Sequence, residues 1–106
     1  MQLEKDKIIE IAGILSGSIR LSIIELLLEK PWIVSDIVEE LDLNQAVISK
    51  QLGVLKNAGM VICSPSGRCR EYRLSDPEET KTMMLSMNKM AEICAGTIAD
   101  EKNQLI

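Results

Sequence analysis

Three cysteines, Cys63, Cys69 and Cys94, are the side chains of this sequence with the most distinctive chemistry. The chain has no histidine, which excludes histidine general bases, Ser-His-Asp and Cys-His nucleophile systems, and histidine-containing metal sites. The sequence also lacks a phosphate-binding loop, so we expect no enzymatic activity. Reduced thiols remain able to form disulfides, to bind soft ions or to pack as small apolar groups.

The segment around the first two cysteines, CSPSGRC, predicts a β-hairpin with two possible registers. A three-residue loop, residues 65–67, would place Cys63 opposite Cys69. A two-residue turn, residues 66–67, would pair Cys63 with Arg70 and put the cysteines on opposite faces. We expect the first register, in which the facing thiols could form a disulfide or hold a soft ion such as trivalent arsenic.

An effector that reacts with thiols is therefore one expectation. Arg68 and Arg70 would favour the thiolate form of a nearby cysteine, and Cys94 lies on an apolar stripe of the last predicted helix. The plainer interpretation is that all three cysteines are inert, small apolar side chains. The candidate ligands for a trivalent metalloid or soft metal ion are Cys63, Cys69 and Cys94.

The formal charge of −4 conceals a basic segment in the middle of the chain. Residues 1–42 hold four basic and nine acidic side chains, residues 43–73 hold five and one, and residues 74–106 hold three and six. Overall acidity disfavours loose binding to polyanions, whereas a local basic patch indicates binding at one face. Without a motif, such a patch is more often an ordinary solvated surface.

Length and hydropathy predict one cytoplasmic domain over residues 1–106 that has no membrane partner. No apolar run approaches the roughly 20 residues needed to cross a bilayer, and the amino terminus MQLEKDKIIE lacks the apolar core of a signal peptide. In the cytoplasm the cysteines would normally be reduced.

The segment LNQAVISKQLGVLKNAGMV, residues 43–61, predicts an amphipathic helix that contains two lysines and no carboxylate. Asn44 is a good N-cap, and Gly59 is typical of the residue that follows a helix. The predicted buried face is Ile48, Leu52 and Leu55. The other side chains are amides, hydroxyls, lysines and small groups, whereas a carboxylate would be repelled by phosphate.

Helical periodicity predicts three helices before this one, over residues 3–15, 19–29 and 35–41. The residues Ser16-Gly17-Ser18 would separate the first two and supply a serine cap, and Ser35 or Asp36 would cap the third. Residues 32–33 are expected to be extended. After the hairpin, a final helix begins with Asp76 as N-cap and Pro77 in the first turn.

Two short helices joined by a tight turn and followed by a hairpin predict a winged helix-turn-helix, a mostly α fold with a small β-hairpin. The predicted order is helix-helix-helix-helix-strand-strand-helix. The first and last helices carry apolar stripes that a two-fold dimer would bury. The simplest interpretation of the stripe on the last helix is that it packs against other apolar groups. Its residues are Met83, Met84, Met87, Met90, Ala91, Cys94 and Ile98.

These segments resemble the ArsR/SmtB family of small dimeric repressors. The segment LNQAVISKQLGVLKNAGMV is similar to the family's recognition-helix signature, with Gln51 where histidine is common and Met60 where leucine is common. GRCREYRL resembles its wing, and LSGSIRLSIIELL resembles its opening, with Gly17 and Ser18 replacing the usual Asp-Pro. The family's two metal sites need a Cys-x-Cys or histidine ligands, and the matching segments have neither.

The resemblance implies a homodimeric repressor that binds double-stranded DNA at a palindromic operator. Gln45, Gln51 and Ser49 would read base edges, and Ala46 or Val47 would contact thymine methyls. The lysines and the helix N-terminus would reach phosphates, and the wing arginines would contact the backbone or the minor groove. The predicted contacts are Asn44, Gln45, Ala46, Val47, Ser49, Lys50, Gln51, Lys56, Arg68 and Arg70. Arg73 could instead pair with an acid inside the domain. The alternative function is a protein-binding or antitoxin-like winged helix without an effector site.

Overall fold

The computed structural model describes residues 1–104 as five helices and a three-stranded antiparallel sheet. The helices are α1 (Lys5–Leu15), α2 (Ser18–Glu29), α3 (Val34–Leu41), α4 (Gln45–Asn57) and α5 (Pro77–Gln104). The strands are β1 (Trp32–Ile33), β2 (Val61–Ser66) and β3 (Cys69–Leu74). The predicted winged helix-turn-helix is confirmed, with β1 as an additional strand. The domain predicted over residues 1–106 includes residues 105 and 106, which lie outside the described residues.

The turn between α3 and α4 is three residues long and reverses the chain through a left-handed residue. Asp42 has a φ of 52°, a conformation that aspartate tolerates better than most residues do. Its amide donates to the Glu39 carbonyl, and the Leu43 amide donates to the Val38 carbonyl, the two bonds of a Schellman motif. This turn sets the angle at which α4 leaves α3.

Helix α4 begins and ends as its sequence predicts. The Asn44 side chain accepts a hydrogen bond from the Val47 amide at 2.9 Å, and Gly59 follows the helix with a φ of 80°. The Met60 amide bonds to the Leu55 carbonyl and closes a second Schellman motif. The predicted inward residues Ile48, Leu52 and Leu55 are fully buried.

The predicted serine and aspartate caps of α2 and α3 are wrong. Helix α3 begins at Val34 directly after β1, so its N-cap is Ile33 and no side chain caps it. Helix α2 begins at Ser18 with Gly17 as an uncapped N-cap. The Ser16 hydroxyl instead donates to the Gly13 carbonyl at 2.6 Å, at the end of α1.

The sheet has the strand order β1-β3-β2, so β3 is central and β2 lies at an edge. Trp32 pairs with Tyr72, and the Trp32 indole donates to the Leu26 carbonyl at 2.9 Å. These contacts attach the hairpin to α2 through β1. The wing is therefore held by the body of the domain at its base, while its tip projects.

Both expected hairpin registers are wrong. The structure pairs Ser66 with Cys69 and Cys63 with Tyr72, so residues 67–68 form the turn. Gly67 has a φ of 61° at the first turn position, as a type II′ turn requires. The strand continues through Pro65 because β2 is an edge strand, where a missing N–H is tolerated. Cys63 and Cys69 consequently lie on opposite faces, three ladder pairs apart.

The core lies where α2, α3, α4 and the base of the sheet meet. Its fully buried side chains are Ile23, Ile24, Ile37, Ile48, Leu52 and Leu55. Burial of each such side chain contributes roughly 1.5–3 kcal/mol to stability. These aliphatic residues fill the interior that a chain without phenylalanine must build.

Helix α5 extends well beyond the core. Asp76 accepts a hydrogen bond from the Glu79 amide at 3.0 Å, which confirms the predicted N-cap. The radius of gyration is 16.7 Å, against about 13 Å for a compact chain of this length. Met83 and Met84 are half-buried, whereas the predicted stripe from Met87 onwards is exposed.

Within residues 1–104 no single helix combines the length and hydropathy needed to cross a membrane. Helices α1 and α2 reach those values only as a pair, and they meet at a bend of 96°.

Candidate nucleic-acid interface

Helix α4 presents a polar, acid-free surface on the side away from the core. Its N-cap Asn44 is exposed, and the Asn44 side chain accepts a hydrogen bond from the Val47 N–H of the first turn. The exposed predicted contact residues of the helix itself are Gln45, Ala46, Ser49, Lys50 and Lys56. The three buried residues of the opposite face fix the rotation of the helix and thereby aim these side chains outward.

Two predicted contact residues of α4 lie at the sides of this surface. Val47 and Gln51 are half-buried. The Gln51 side-chain oxygen accepts a hydrogen bond of 2.6 Å from Nη1 of Arg20 on α2. Gln51 therefore lies on the side of α4 that faces α2, and its carbonyl oxygen is already occupied.

The wing and α4 together border one groove of about 300 Å³. Gln45 and Ser49 line it from the helix, and Arg68, Arg70 and Tyr72 line it from the wing. Both arginines are exposed near the hairpin tip. The tertiary structure thus brings the exposed polar side of α4 and the cationic wing to a common surface.

Arg73 lies lower on the wing and has a different contact. Its Nη1 donates to the Ser64 hydroxyl at 2.9 Å, across the β2–β3 ladder. Within residues 1–104 Arg73 makes this contact and forms no ion pair with an acidic side chain. The expectation that it pairs with an acid is therefore wrong. The hydrogen bond stiffens the outer face of the hairpin.

Cys63 lies at the base of the wing beside cationic and hydroxyl groups. Arg70 Nη1 is 3.6 Å from the Cys63 sulfur, and Tyr72 is its cross-strand partner. Burial raises the pKa of the Cys63 thiol, but hydrogen bonds from Arg70 and Tyr72 and the charges of Arg70 and Lys56 outweigh it. The net pKa of Cys63 is lowered, which favours the nucleophilic thiolate.

The other two cysteines do not join this group. Cys69 and Cys94 are exposed free thiols, and Cys63 is a half-buried one. Because Cys63 and Cys69 point to opposite faces, the expected facing thiol pair is not formed. Within residues 1–104, no group of three or more Cys, Asp or Glu side chains is close enough together to hold a metal ion.

Sequence reasoning missed two residues that position this surface. Tyr72 became a partner of Cys63 only through the hairpin register, which local turn preferences did not predict. Arg20 lies 31 residues before Gln51, and no local pattern connects them. The nearest signal for Arg20 was its place in the opening motif, three residues after the unusual Gly17.

Comparison with known proteins agrees with this geometry. Residues 17–62 match the profile of a family described as "Bacterial regulatory protein, arsR family". The matched segment runs from the N-cap of α2 through the complete helix-turn-helix into β2. This segment of the chain is therefore similar to the ArsR family. Its members and its relatives are transcriptional regulators rather than enzymes.

A curated relative of this chain is the uncharacterized HTH-type transcriptional regulator Rv0081 of Mycobacterium tuberculosis. The two are 27% identical over 81 residues, which cover 76% of this chain and 71% of Rv0081. The crystal structure of Rv0081 superimposes with a TM-score of 0.77 at 23% identity and covers 92% of this chain and 99% of that one.

Two further solved structures share the fold. HlyU from Vibrio cholerae has a TM-score of 0.74 at 24% identity, with coverage of 85% of this chain and 97% of HlyU. Mb0332 from Mycobacterium bovis, described as a homodimeric winged helix-turn-helix DNA-binding domain, has a TM-score of 0.74 at 22% identity. That match covers 88% of this chain and 91% of Mb0332. The chain therefore has the fold of these proteins.

Proposed function

We propose that the protein is a homodimeric repressor that binds a palindromic operator in double-stranded DNA through α4 and the wing. The observation that carries the proposal is the shared groove between the acid-free side of α4 and the arginines of the hairpin tip. A segment with five basic residues and one acidic residue occupies this surface in a chain of net charge −4. Such segregation is the electrostatic footprint of a DNA-binding face.

Each exposed residue has a role that its chemistry supports. Gln45 and Ser49 hydrogen-bond to base edges in the major groove, and Ala46 contacts a thymine methyl. The helix N-terminus at Asn44 and the side chains Lys50 and Lys56 bind phosphates. Arg68 and Arg70 contact the backbone or the minor groove beside it. Half-buried Val47 and Gln51 contribute at the edges of this surface.

Dimerisation would use α1 and α5. Ile8, Ile11, Leu15, Met83 and Met87 border an apolar groove of about 260 Å³ between these helices. Further apolar side chains on α1 and α5 are exposed, namely Ile9, Leu85, Met90, Ile93 and Ile98. An apolar groove accompanied by many exposed apolar side chains is typical of an interaction site, and a two-fold dimer presents two recognition helices to a palindrome.

We further propose that a thiol-reactive effector releases the operator through Cys63. Its sulfur lies beside Arg70, and Arg70 also borders the groove with α4. Alkylation or oxidation of Cys63 would displace the Arg70 side chain and alter the wing contact. This site needs one thiol, in contrast to a soft-ion site built from facing cysteines.

The test is binding of the full-length protein to its own upstream DNA over a series of salt concentrations. Operator binding should be sequence-specific and should weaken steeply as salt rises. A protein-binding module would instead show no preference between that DNA and a shuffled duplex, which would refute the proposal. Lys81→Ala, an exposed lysine on α5, is the control for a generic loss of charge.

The effector is tested with the same DNA and the thiol reagent iodoacetamide. The double variant Cys69→Ser/Cys94→Ser should still be released by the reagent, whereas Cys63→Ser should bind the operator and resist release. Release of Cys63→Ser by iodoacetamide to the wild-type extent would refute a role for this thiol.

A further inference from the structure

Arg20 connects the end of α1 to the recognition helix α4. From the first turn of α2, its Nε donates to the Ile14 carbonyl at 2.7 Å, and its Nη2 lies 3.4 Å from the Gly13 carbonyl. Its Nη1 donates to the Gln51 side-chain oxygen at 2.6 Å. One planar guanidinium therefore contacts two backbone carbonyls of α1 and one side chain of α4.

The chemistry of these contacts favours arginine. The Gly13 and Ile14 carbonyls also accept the Ser16 and Gly17 amides at 3.3 Å. A cation near the last carbonyls of a helix interacts favourably with the helix dipole. Arginine offers five donors in a fixed plane, whereas lysine is a point charge on a flexible stem. A half-buried, charge-assisted contact of this kind resists rotation of α4 relative to α1.

Gly17 leaves the space that this arrangement requires. A β-carbon at Gly17 would lie 2.5 Å from Cζ and 2.5 Å from Nη2 of Arg20. The backbone of Gly17 has a φ of −90° and a ψ of 124°, so alanine would be compatible with the backbone itself. The three nearest atoms all belong to the Arg20 guanidinium, which would have to leave its place.

We propose that Arg20 is a positioning residue that sets the spacing of the two recognition helices in the dimer. The inference rests on the proposed function, because α1 is one of the two helices that the dimer would bury. In such a dimer, the distance between the α4 helices depends on how each α4 is held relative to its own α1. The half-site spacing of the operator reports that distance.

The experiment measures affinity for synthetic operators whose half-sites have the native spacing or are moved apart by one or two base pairs. Wild type should prefer the native spacing. Arg20→Ala and Gly17→Ala should bind the native operator about tenfold more weakly, the scale of one charge-assisted hydrogen bond. Their preference for native over altered spacing should fall towards one. A purely structural role would lower affinity for all spacings equally.

Two further variants make the result decisive. Gly13→Ala is the matched control for Gly17→Ala, because a β-carbon at Gly13 meets nothing within 4 Å, and it should keep the spacing preference. Gln51→Leu cuts the link to α4 and leaves Arg20 on the α1 carbonyls. Because Gln51 also borders the proposed DNA surface, its spacing preference, and not its affinity, is the readout for this variant. If Arg20→Ala or Gly17→Ala fails to fold by circular dichroism, Gln51→Leu decides the question.

The outcomes distinguish a failure of this inference from a failure of the proposed function. A wild-type protein that binds no operator of any spacing contradicts the proposed function. The role of Arg20 is overturned if the wild-type protein has a clear spacing preference and the folded variants Gln51→Leu, Gly17→Ala and Arg20→Ala all retain it. Loss of the preference in these variants, with Gly13→Ala unaffected, supports it.

Discussion

Arg70 lies two ladder pairs nearer the wing tip than Tyr72, the cross-strand partner of Cys63, and its guanidinium is 3.6 Å from the Cys63 sulfur. The contact places a positive charge against a thiol on a surface that also borders α4. It connects the chemistry of a single cysteine to the wing.

The first prediction concerns the titration of this thiol. In the Cys69→Ser/Cys94→Ser background, alkylation of Cys63 should reach its half-maximal rate at a lower pH than alkylation of a free cysteine, because its pKa is lowered. Arg70→Ala should move the half-point to higher pH. The measurement is the iodoacetamide rate against pH. Arg68→Ala removes a neighbouring wing charge and should move the half-point less; equal shifts would count against the Arg70 contact.

The same shift fixes the direction of a pH effect on stability. The folded pKa of Cys63 is the lower one, so the folded state favours the thiolate. The resulting contribution to stability is present above the unfolded pKa and is lost as pH falls through the folded pKa.

The second prediction concerns the N-cap of α4. Asn44→Ala removes the acceptor that holds the Val47 amide and should lower the free energy of unfolding by about 1 kcal/mol. Urea unfolding measures the change. Asn57→Ala is the control, since it makes the same replacement at the last residue of the same helix, away from the cap. If both variants lose a comparable free energy of unfolding, the cap hydrogen bond makes no specific contribution to stability.

The third prediction contrasts two glycines of the recognition-helix segment. A β-carbon at Gly53 meets nothing within 4 Å, so Gly53→Ala should stabilise the protein by roughly 0.5–1 kcal/mol through helix propensity. Gly59 has a φ of 80°, so Gly59→Ala should destabilise it although its β-carbon is also unobstructed. Thermal and urea unfolding report both. Shifts of the same sign would contradict the conformational argument.

The fourth prediction separates base reading from phosphate binding. Gln45→Ala should cost about 1–3 kcal/mol on the preferred operator and relax selectivity at one base pair. Lys56→Ala should weaken binding to all sequences alike and reduce the salt slope by about one. Anisotropy titrations on single-base operator variants at several salt concentrations distinguish these patterns. A uniform loss for Gln45→Ala would remove it from the base-reading set.

The fifth prediction concerns the proposed dimer. Met87 is 43% exposed and lines the apolar groove between α1 and α5. Met87→Glu would bury an unpaired carboxylate in the interface and should convert the dimer to monomer. Analytical ultracentrifugation measures the change. Lys89→Glu, two residues further along the same helix, reverses an exposed charge and should leave the dimer intact. Dimers that survive Met87→Glu would place the interface elsewhere.

Local signals sufficed where one stretch of chain contains both the cause and its effect. Asn44, Gly59 and the apolar period of Ile48, Leu52 and Leu55 determine α4, because capping and periodicity act within one helix. The Asp76 cap of α5 followed for the same reason. The segregation of charge likewise indicated α4 and the wing, which border one groove; DNA contact by their side chains stays a prediction.

Tertiary structure decided what depends on partners distant in sequence. Pro65 favours a turn by itself, yet the ladder with β3 extends the strand through it and separates Cys63 from Cys69. The caps predicted at Ser35 or Asp36 gave way to the pairing of β1 with β3. Arg20 reaches Gln51 only because α2 packs on α4. The amino-acid sequence by itself determined the helices, the charged segment and the resemblance to the ArsR family, because those properties are local. The strand register and the long-range hydrogen bonds were decided only by the tertiary structure, since their free energy depends on groups that lie far apart in the sequence.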